Sequence, residues 1–127
     1  GRAYYRPSGD FISVPELKDY EKPEEYYSTL FHEMVHSTGH KSRLARNGIT
    51  ELSSFGSETY SKEELVAEIG SAMLCGQANI ENATIDNSAA YIQGWLRKLK
   101  EDSRMIIFAA GQAQKAADYI LGRVEDV

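Results

Sequence analysis

Two histidines and a glutamate within residues 30–36 have the types and the spacing needed to bind a metal ion and to use it. The segment contains the pattern His-Glu-x-x-His, formed by His32, Glu33 and His36. On a helix, residues four apart lie on the same face, so the two imidazoles can hold one ion while the glutamate reaches a water beside it. Zinc is the usual ion, because nitrogen ligands and a tetrahedral site suit it. We therefore predict a zinc site with His32 and His36 as ligands and Glu33 as a general base.

The residues around this pattern predict a helix that begins at Pro23 and ends at Gly39. Proline suits the first turn of a helix, the two acids that follow it complement the helix dipole, and glycine commonly ends a helix. The side chains predicted to face the core are Tyr27, Leu30, Phe31, Met34 and Val35. His32 and His36 fall roughly on the opposite side, so we expect another part of the chain to pack against them.

A catalytic zinc site needs a third protein ligand, and residues 62–68 offer three carboxylates. Glu64 and Glu68 are four residues apart at one edge of an apolar stripe, so both could face the first helix. We expect Glu64 to bind the metal and Glu68 to orient an imidazole. Glu63 is an alternative ligand. A second explanation of Glu64 is a capping box with Ser61 at the start of a helix over residues 61–76.

His40 is the nearest further histidine and another alternative ligand. It lies eight residues after His32, about 12 Å along a continuous helix, so the two could not share one ion unless the chain turned sharply at Gly39. The longer pattern that supplies a third histidine would place it where this chain has Ser42. We therefore expect His40 to be a loop residue. Four side chains are considered as donors to the oxyanion of a hydrolytic reaction: Tyr60, Tyr91, His40 and Arg43.

The remaining patterns predict one mainly helical α+β domain over residues 1–127, with a small β edge at the N-terminus. Two short runs on either side of the turn at residues 7–10 predict a hairpin or two edge strands, and residues 16–20 predict one short helical turn. Residues 40–60 have the composition of a long loop, which is often functional beside a metal site. A third helix is expected to be capped by Asn87 or Ser88, and a fourth to begin at Asp102 or Ser103. Its predicted inward side chains are Met105, Phe108, Ala109, Gln112, Ala116 and Ile120.

Composition and charge exclude several classes of protein. No apolar run approaches the roughly 20 residues that a membrane span needs, and the one cysteine, Cys75, excludes an internal disulfide framework. The net charge of −5 argues against strong nucleic-acid binding by this segment. We therefore expect it to bind single-stranded DNA only weakly. The local basic cluster, which has acids within it, consists of Arg97, Lys98, Lys100 and Arg104.

Four segments in a fixed order carry a resemblance to a known family: residues 31–44, 63–69, 90–96 and 113–120. Through them, residues 4–121 resemble the zincin-type metallopeptidase domain of the ArdC antirestriction family, which usually has a tryptophan where Ser37 stands. The resemblance implies a zincin-like fold, a zinc-dependent peptidase, the bacterial cytoplasm and carriage on plasmids and other mobile elements. It also implies a longer protein in which a separate N-terminal domain, absent from this chain, binds single-stranded DNA.

A non-catalytic alternative stays open at this point. The chain could be a metal-stabilised module that supports DNA binding or a protein interface in antirestriction. Glu33 favours the enzyme, because a structural zinc site needs no base and is normally closed by four protein ligands. The sequence does not indicate which protein or peptide would be the substrate.

Overall fold

Helices dominate the computed structural model, which describes residues 1–51, 57–80, 85–98 and 103–123. The elements in chain order are β1 (Tyr4–Arg6), β2 (Phe11–Ser13), a 3-10 turn (Leu17–Asp19), α1 (Pro23–Thr38), α2 (Asn47–Thr50), α3 (Glu58–Gln77), α4 (Ile85–Lys98) and α5 (Ser103–Ile120). The predicted mainly helical α+β class with a small N-terminal β edge is confirmed. None of the helices in the described ranges is long and apolar enough to cross a membrane.

The N-terminal hairpin forms as predicted and packs against α1. Its strands are antiparallel, with Tyr4 opposite Ser13 and Arg6 opposite Phe11. The turn between them holds Asp10 in a left-handed conformation with φ of 53°, which aspartate tolerates better than most residues. The Tyr5 hydroxyl donates to Asp10 Oδ1 at 2.8 Å. This turn therefore points a carboxylate toward the end of α1, where it meets an arginine side chain.

The core lies where α3 packs against α1, α4 and α5. Small residues let these helices approach closely: a Cβ atom at Gly70 of α3 would lie 2.8 Å from Val35 Cγ2 of α1. The fully or nearly fully buried apolar residues of this core are Val35, Leu65, Val66, Ala67, Leu74, Ala109, Ala113, Ala116 and Ala117. Cys75 is also buried, and burial raises the pKa of its thiol.

The predicted start of α3 is wrong. Ser57, not Ser61, caps the helix, and its hydroxyl accepts a hydrogen bond from the backbone N–H of Tyr60. Ser61 lies one turn inside α3 and is only 1% exposed, so the capping box with Glu64 does not form. Both serines satisfy the local capping rule. The predicted loop of residues 40–60 is interrupted by α2, which packs on α3.

Two further predictions from local pattern need correction. α4 begins at Ile85 rather than after a cap at Asn87 or Ser88, so both residues lie in its first turn and not before it. Tyr27 and Phe108 are 39% and 51% exposed instead of facing the core. Alanines occupy the buried face of α5 and bring it close to α3, which leaves the larger ring of Phe108 at the surface. α5 begins at Ser103, one of the two predicted positions; Asp102, the other, and Lys100 of the basic cluster lie outside the described residues.

Candidate metal centre

The side chains that the sequence pattern singles out meet where α1 and α3 cross. Nε2 of His36 lies 3.2 Å from Nε2 of His32. Glu64 of α3 faces both rings, with one carboxylate oxygen 3.2 Å from His36 Nε2 and the other 3.4 Å from His32 Nε2. Within the described ranges, these three residues form the one group of at least three side chains suited to hold a metal ion. The structure thus brings together the three residues predicted as ligands.

The separations between these atoms fit a small divalent cation. Ligand atoms bound tetrahedrally at about 2.0–2.2 Å from zinc lie about 3.3–3.5 Å from one another. The two Nε2 atoms are 3.2 Å apart, and the two oxygens of Glu64 lie 3.2 Å from His36 Nε2 and 3.4 Å from His32 Nε2, one oxygen to each nitrogen. Two imidazoles and one carboxylate are also the donor set of a catalytic zinc site, which leaves the fourth position free. The residues present therefore fit the metal that the sequence pattern predicts.

The other nitrogen of each imidazole is held by a second carboxylate from α3. Nδ1 of His36 donates to Glu63 Oε2 at 2.7 Å, and Nδ1 of His32 lies 3.0 Å from Glu68 Oε2. A carboxylate on Nδ1 orients the ring and places the lone pair of the neutral imidazole on Nε2. Glu68 therefore has the orienting contact expected of it, and Glu63 makes the equivalent contact to the other ring.

These contacts determine the charge of the cluster without a metal. Burial alone would lower the pKa of His36, but hydrogen bonds to Glu63 and Glu64 outweigh it and raise that pKa to about 10. Burial alone would also lower the pKa of His32, but hydrogen bonds to Glu64 and Glu68 outweigh it and raise that pKa to about 9. Burial would raise the pKa of Glu64, yet the two histidines hold it well below its usual range. A metal ion that binds here near neutral pH must therefore displace protons from the imidazoles.

Glu33, the predicted base, follows His32 on α1 and is only 8% exposed. A carboxylate is rarely buried to this extent unless it is paired with another group. Its position on the helix that carries both histidines matches the glutamate of the His-Glu-x-x-His pattern. Glu33 is thus a buried carboxylate on the helix that carries both histidines, and its role as the base stays a prediction.

Arg46 belongs to this site and was missed by sequence reasoning. Its Nε donates to Glu63 Oε1 at 2.9 Å and its Nη2 to Glu63 Oε2 at 3.1 Å. The same guanidinium donates to Thr38 Oγ1 and to the carbonyl oxygen of Val35, each at 2.7 Å. No periodic pattern marks a buried arginine in a loop. The only signal in the sequence was the unusual length of the segment between the two helices.

The remaining predicted residues lie elsewhere or are engaged elsewhere. His40 is a loop residue, as expected, and its Nδ1 lies 2.8 Å from Ser42 Oγ. Arg43 pairs with Asp10 of the hairpin turn and donates to a backbone carbonyl of α1, so its guanidinium is already committed. Tyr60 packs against the core, and the side chain of Tyr91 lies outside the described part of the chain. The assignment of an oxyanion donor among these residues therefore stays a prediction.

Two relatives of known sequence are longer proteins, each with a segment that is similar to this chain. The uncharacterised protein y4eC of Sinorhizobium fredii is 40% identical over 126 residues, which cover 98% of this chain and 40% of that protein. A DNA primase TraC of Escherichia coli is 42% identical over 120 residues, which cover 94% of this chain and 11% of the primase. The chain thus spans less than half the length of either relative.

Solved structures of a plasmid-encoded antirestriction protein, ArdC, have the same fold. Its manganese(II)-bound form matches with a TM-score of 0.77 and 48% identity, over 95% of this chain and 44% of ArdC. Its metal-free form matches with a TM-score of 0.69 and 49% identity, over 92% of this chain and 41% of ArdC. A family model described as zincin-like metallopeptidase, MPTase-PolyVal, matches residues 1–112. The chain therefore belongs to the zincin-like metallopeptidase family and is similar to the corresponding part of ArdC.

Proposed function

We propose that this chain is a metallopeptidase domain that binds one divalent cation, with zinc as the expected ion. Its ligands are Nε2 of His32, Nε2 of His36 and the carboxylate of Glu64. The observation that carries the proposal is the cluster of ligand atoms: the two Nε2 atoms are 3.2 Å apart, and each faces one oxygen of Glu64, at 3.2 Å from His36 and 3.4 Å from His32. The manganese-bound form of ArdC supports a divalent cation, and the two imidazoles favour zinc over harder ions, which prefer oxygen ligands.

The proposed reaction is hydrolysis of a peptide bond. A cation held by these ligands supplies a Lewis acid that polarises a carbonyl and makes water more acidic. Glu33 accepts the proton of the attacking water on its carboxylate and then donates it to the nitrogen of the leaving amine. Glu63 and Glu68 hold the Nδ1 atoms of the two imidazoles, so the rings need not reorient when a metal ion binds.

The role of the longer protein is a wider proposal. The same domain occurs in relatives with different names, a DNA primase and an antirestriction protein. Peptidase chemistry is therefore assigned to the domain itself, from its site. The higher identity to ArdC favours an antirestriction protein that acts in the bacterial cytoplasm on a protein or peptide substrate. We propose that a separate N-terminal domain of such a protein binds single-stranded DNA.

The decisive experiment compares the parent chain with Glu33→Gln after both are loaded with zinc or manganese. Mass spectrometry under native conditions should find one ion per chain in each, because Glu33 is not a proposed ligand. Cleavage of a quenched-fluorescence peptide mixture should fall by about 10²-fold or more in the variant, the usual scale for a general base. The glutamine keeps the size of the side chain and removes its basicity.

The two ways in which this experiment can fail have different meanings. A parent chain that binds no divalent cation refutes the metal site itself. A parent chain that binds one ion but cleaves no peptide faster than Glu33→Gln refutes the peptidase and favours the non-catalytic, metal-stabilised module.

A further inference from the structure

We propose that Arg46 is a positioning residue of the metal centre: it holds Glu63 on Nδ1 of His36 and thereby leaves Glu64 as the carboxylate that faces the metal. This inference rests on the proposed metal site and adds a residue to it. Arg46 touches none of the three proposed ligand atoms. It acts through Glu63, which its guanidinium contacts with two nitrogens at 2.9 and 3.1 Å.

The geometry of Arg46 leaves Glu63 little freedom. Both carboxylate oxygens of Glu63 accept from the guanidinium, and Oε2 also accepts from His36 Nδ1 at 2.7 Å. The guanidinium is itself fixed at the end of α1 by Thr38 Oγ1 and the carbonyl oxygen of Val35. The guanidinium is planar and binds both oxygens of Glu63, so it fixes the plane of the carboxylate as well as balancing its negative charge. Arg46 thus ties α1, α3 and the intervening loop to one carboxylate.

Two glycines enclose this pair at distances that exclude a side chain. A Cβ atom at Gly48 would lie 2.5 Å from Glu63 Cβ and 3.1 Å from its Oε1. A Cβ atom at Gly39 would lie 2.6 Å from Ile49 Cγ1 and 3.0 Å from Arg46 Nη2. The loop after α1 therefore packs its backbone directly against the Arg46–Glu63 pair. Gly39 ends α1 with φ of −80°, so close approach and not a left-handed conformation accounts for glycine there.

The consequence concerns two adjacent acids on α3. Glu63 and Glu64 both face the histidines, one at Nδ1 of His36 and the other at both Nε2 atoms. Without Arg46, Glu63 would be a buried carboxylate with a single imidazole partner, and it could turn toward a bound cation in competition with Glu64. Arg46 prevents this by binding both oxygens of Glu63 at once.

The test is a double-mutant cycle of Arg46→Met and Glu63→Gln, read by metal affinity rather than by activity. Competition with a chromophoric chelator gives the zinc and cobalt(II) affinities of the parent chain, both single variants and the double variant. Arg46→Met should weaken binding by about 10- to 100-fold, as is typical when an outer partner of a metal ligand is lost. In the Glu63→Gln background the same change should have little further effect, because Arg46 acts through Glu63.

The matched control is Arg43→Met. Arg43 also donates to a carbonyl oxygen near the end of α1, that of Ser37 at 2.8 Å, but its carboxylate partner is Asp10 of the hairpin. Arg43→Met should keep the parent affinity and the visible absorption bands of the cobalt-loaded protein. Arg46→Met should alter those bands, since they report the geometry of the ligands.

Arg46→Lys provides a second variant in case Arg46→Met does not fold. Lysine keeps the charge but cannot reproduce the two-nitrogen contact with Glu63, so affinity should fall less and the cobalt bands should still change. Parent-like affinity and cobalt bands in either Arg46 variant overturn the proposal. So does a double variant whose loss of metal affinity equals the product of the losses in Arg46→Met and Glu63→Gln. A parent chain that binds no metal instead refutes the proposed function, so the two failures are distinguishable.

Discussion

Two arginines three residues apart in the loop after α1 anchor that loop to the same helix in different surroundings. Arg43 donates to the carbonyl oxygen of Ser37 and pairs with Asp10 on the hairpin turn, where both side chains are partly exposed. Arg46 donates to the carbonyl oxygen of Val35 but is only 7% exposed. The two residues thus use the same kind of hydrogen bond, one at the surface and one in the interior.

The difference shows how burial changes what an ion pair does. At the surface, water and salt screen the pair of Arg43, so it contributes little beyond holding the hairpin near α1. In the interior, Arg46 and Glu63 are shielded from water, and loss of either leaves the other buried without this partner. The buried pair can therefore determine the position of a metal ligand, whereas the exposed pair cannot. Substitutions on either side of the loop test this contrast.

The largest expected effect is on the stability of the metal-free protein. Arg46→Met should lower the free energy of unfolding by about 3–5 kcal/mol, the usual loss when one partner of a buried ion pair is removed, because Glu63 then keeps only its contact with His36. Arg43→Met should lower it by much less. Urea denaturation of both variants, monitored by circular dichroism, measures the difference. Similar losses in the two variants would mean that anchoring the loop, and not the buried charge, dominates.

A second prediction contrasts Glu64 on the buried side with His40, which shares its loop with Arg43. Glu64→Gln should reduce zinc affinity by more than about 100-fold, the upper end of what a residue that only orients a ligand contributes. His40→Ala should leave the affinity unchanged, because its Nδ1 is engaged with Ser42 at 2.8 Å. Isothermal titration of folded protein gives both values. The reverse result would make His40 the third ligand.

A third prediction tests the packing around the buried pair. Gly48→Ala places a methyl group 2.5 Å from Glu63 Cβ and should destabilise the protein by about 1–3 kcal/mol, the usual cost of overpacking. Gly111→Ala is the control, since the described residues outside its own stretch of α5 place no atom within 4 Å of the position that its methyl group would take. That change should stabilise by about 0.5–1 kcal/mol. Thermal denaturation distinguishes the two signs, and a neutral Gly48→Ala would show that the loop yields easily.

The smallest expected effect concerns the exposed pair and pH. Partial burial and the hydrogen bond to Asp10 together raise the pKa of Tyr5 to about 12. Tyr5 should therefore stay protonated near pH 10, where an ordinary tyrosine is half ionised. Asp10→Asn removes the negative charge that opposes the phenolate and should lower this pKa. Ultraviolet titration, with Tyr5→Phe subtracted to isolate one phenol, measures it. An unchanged titration curve would show that the hairpin turn does not hold Asp10 on Tyr5.

Much of the fold follows from local patterns because those patterns were strong. Pro23, the two acids after it and Gly39 bounded α1 correctly, and the turn before Phe11 gave the hairpin. Weak signals failed. Two serines one turn apart both fit the capping rule, and the structure places the cap at Ser57, with Ser61 buried one turn inside α3. The helical pattern predicted Phe108 as a core residue, but alanines form the buried face of α5 and Phe108 is exposed.

Local sequence alone places two imidazoles on one face of a helix, because a helical repeat puts residues 32 and 36 together. It also brings Glu64 and Glu68 to one edge of a second helix for the same reason. Which acid meets which nitrogen depends instead on tertiary packing. Glu63 and Glu64 are neighbours that both border the groove between α1 and α3, and periodicity cannot rank them. The crossing of the helices sets Glu64 against both Nε2 atoms, and a buried arginine from the loop holds Glu63 on Nδ1.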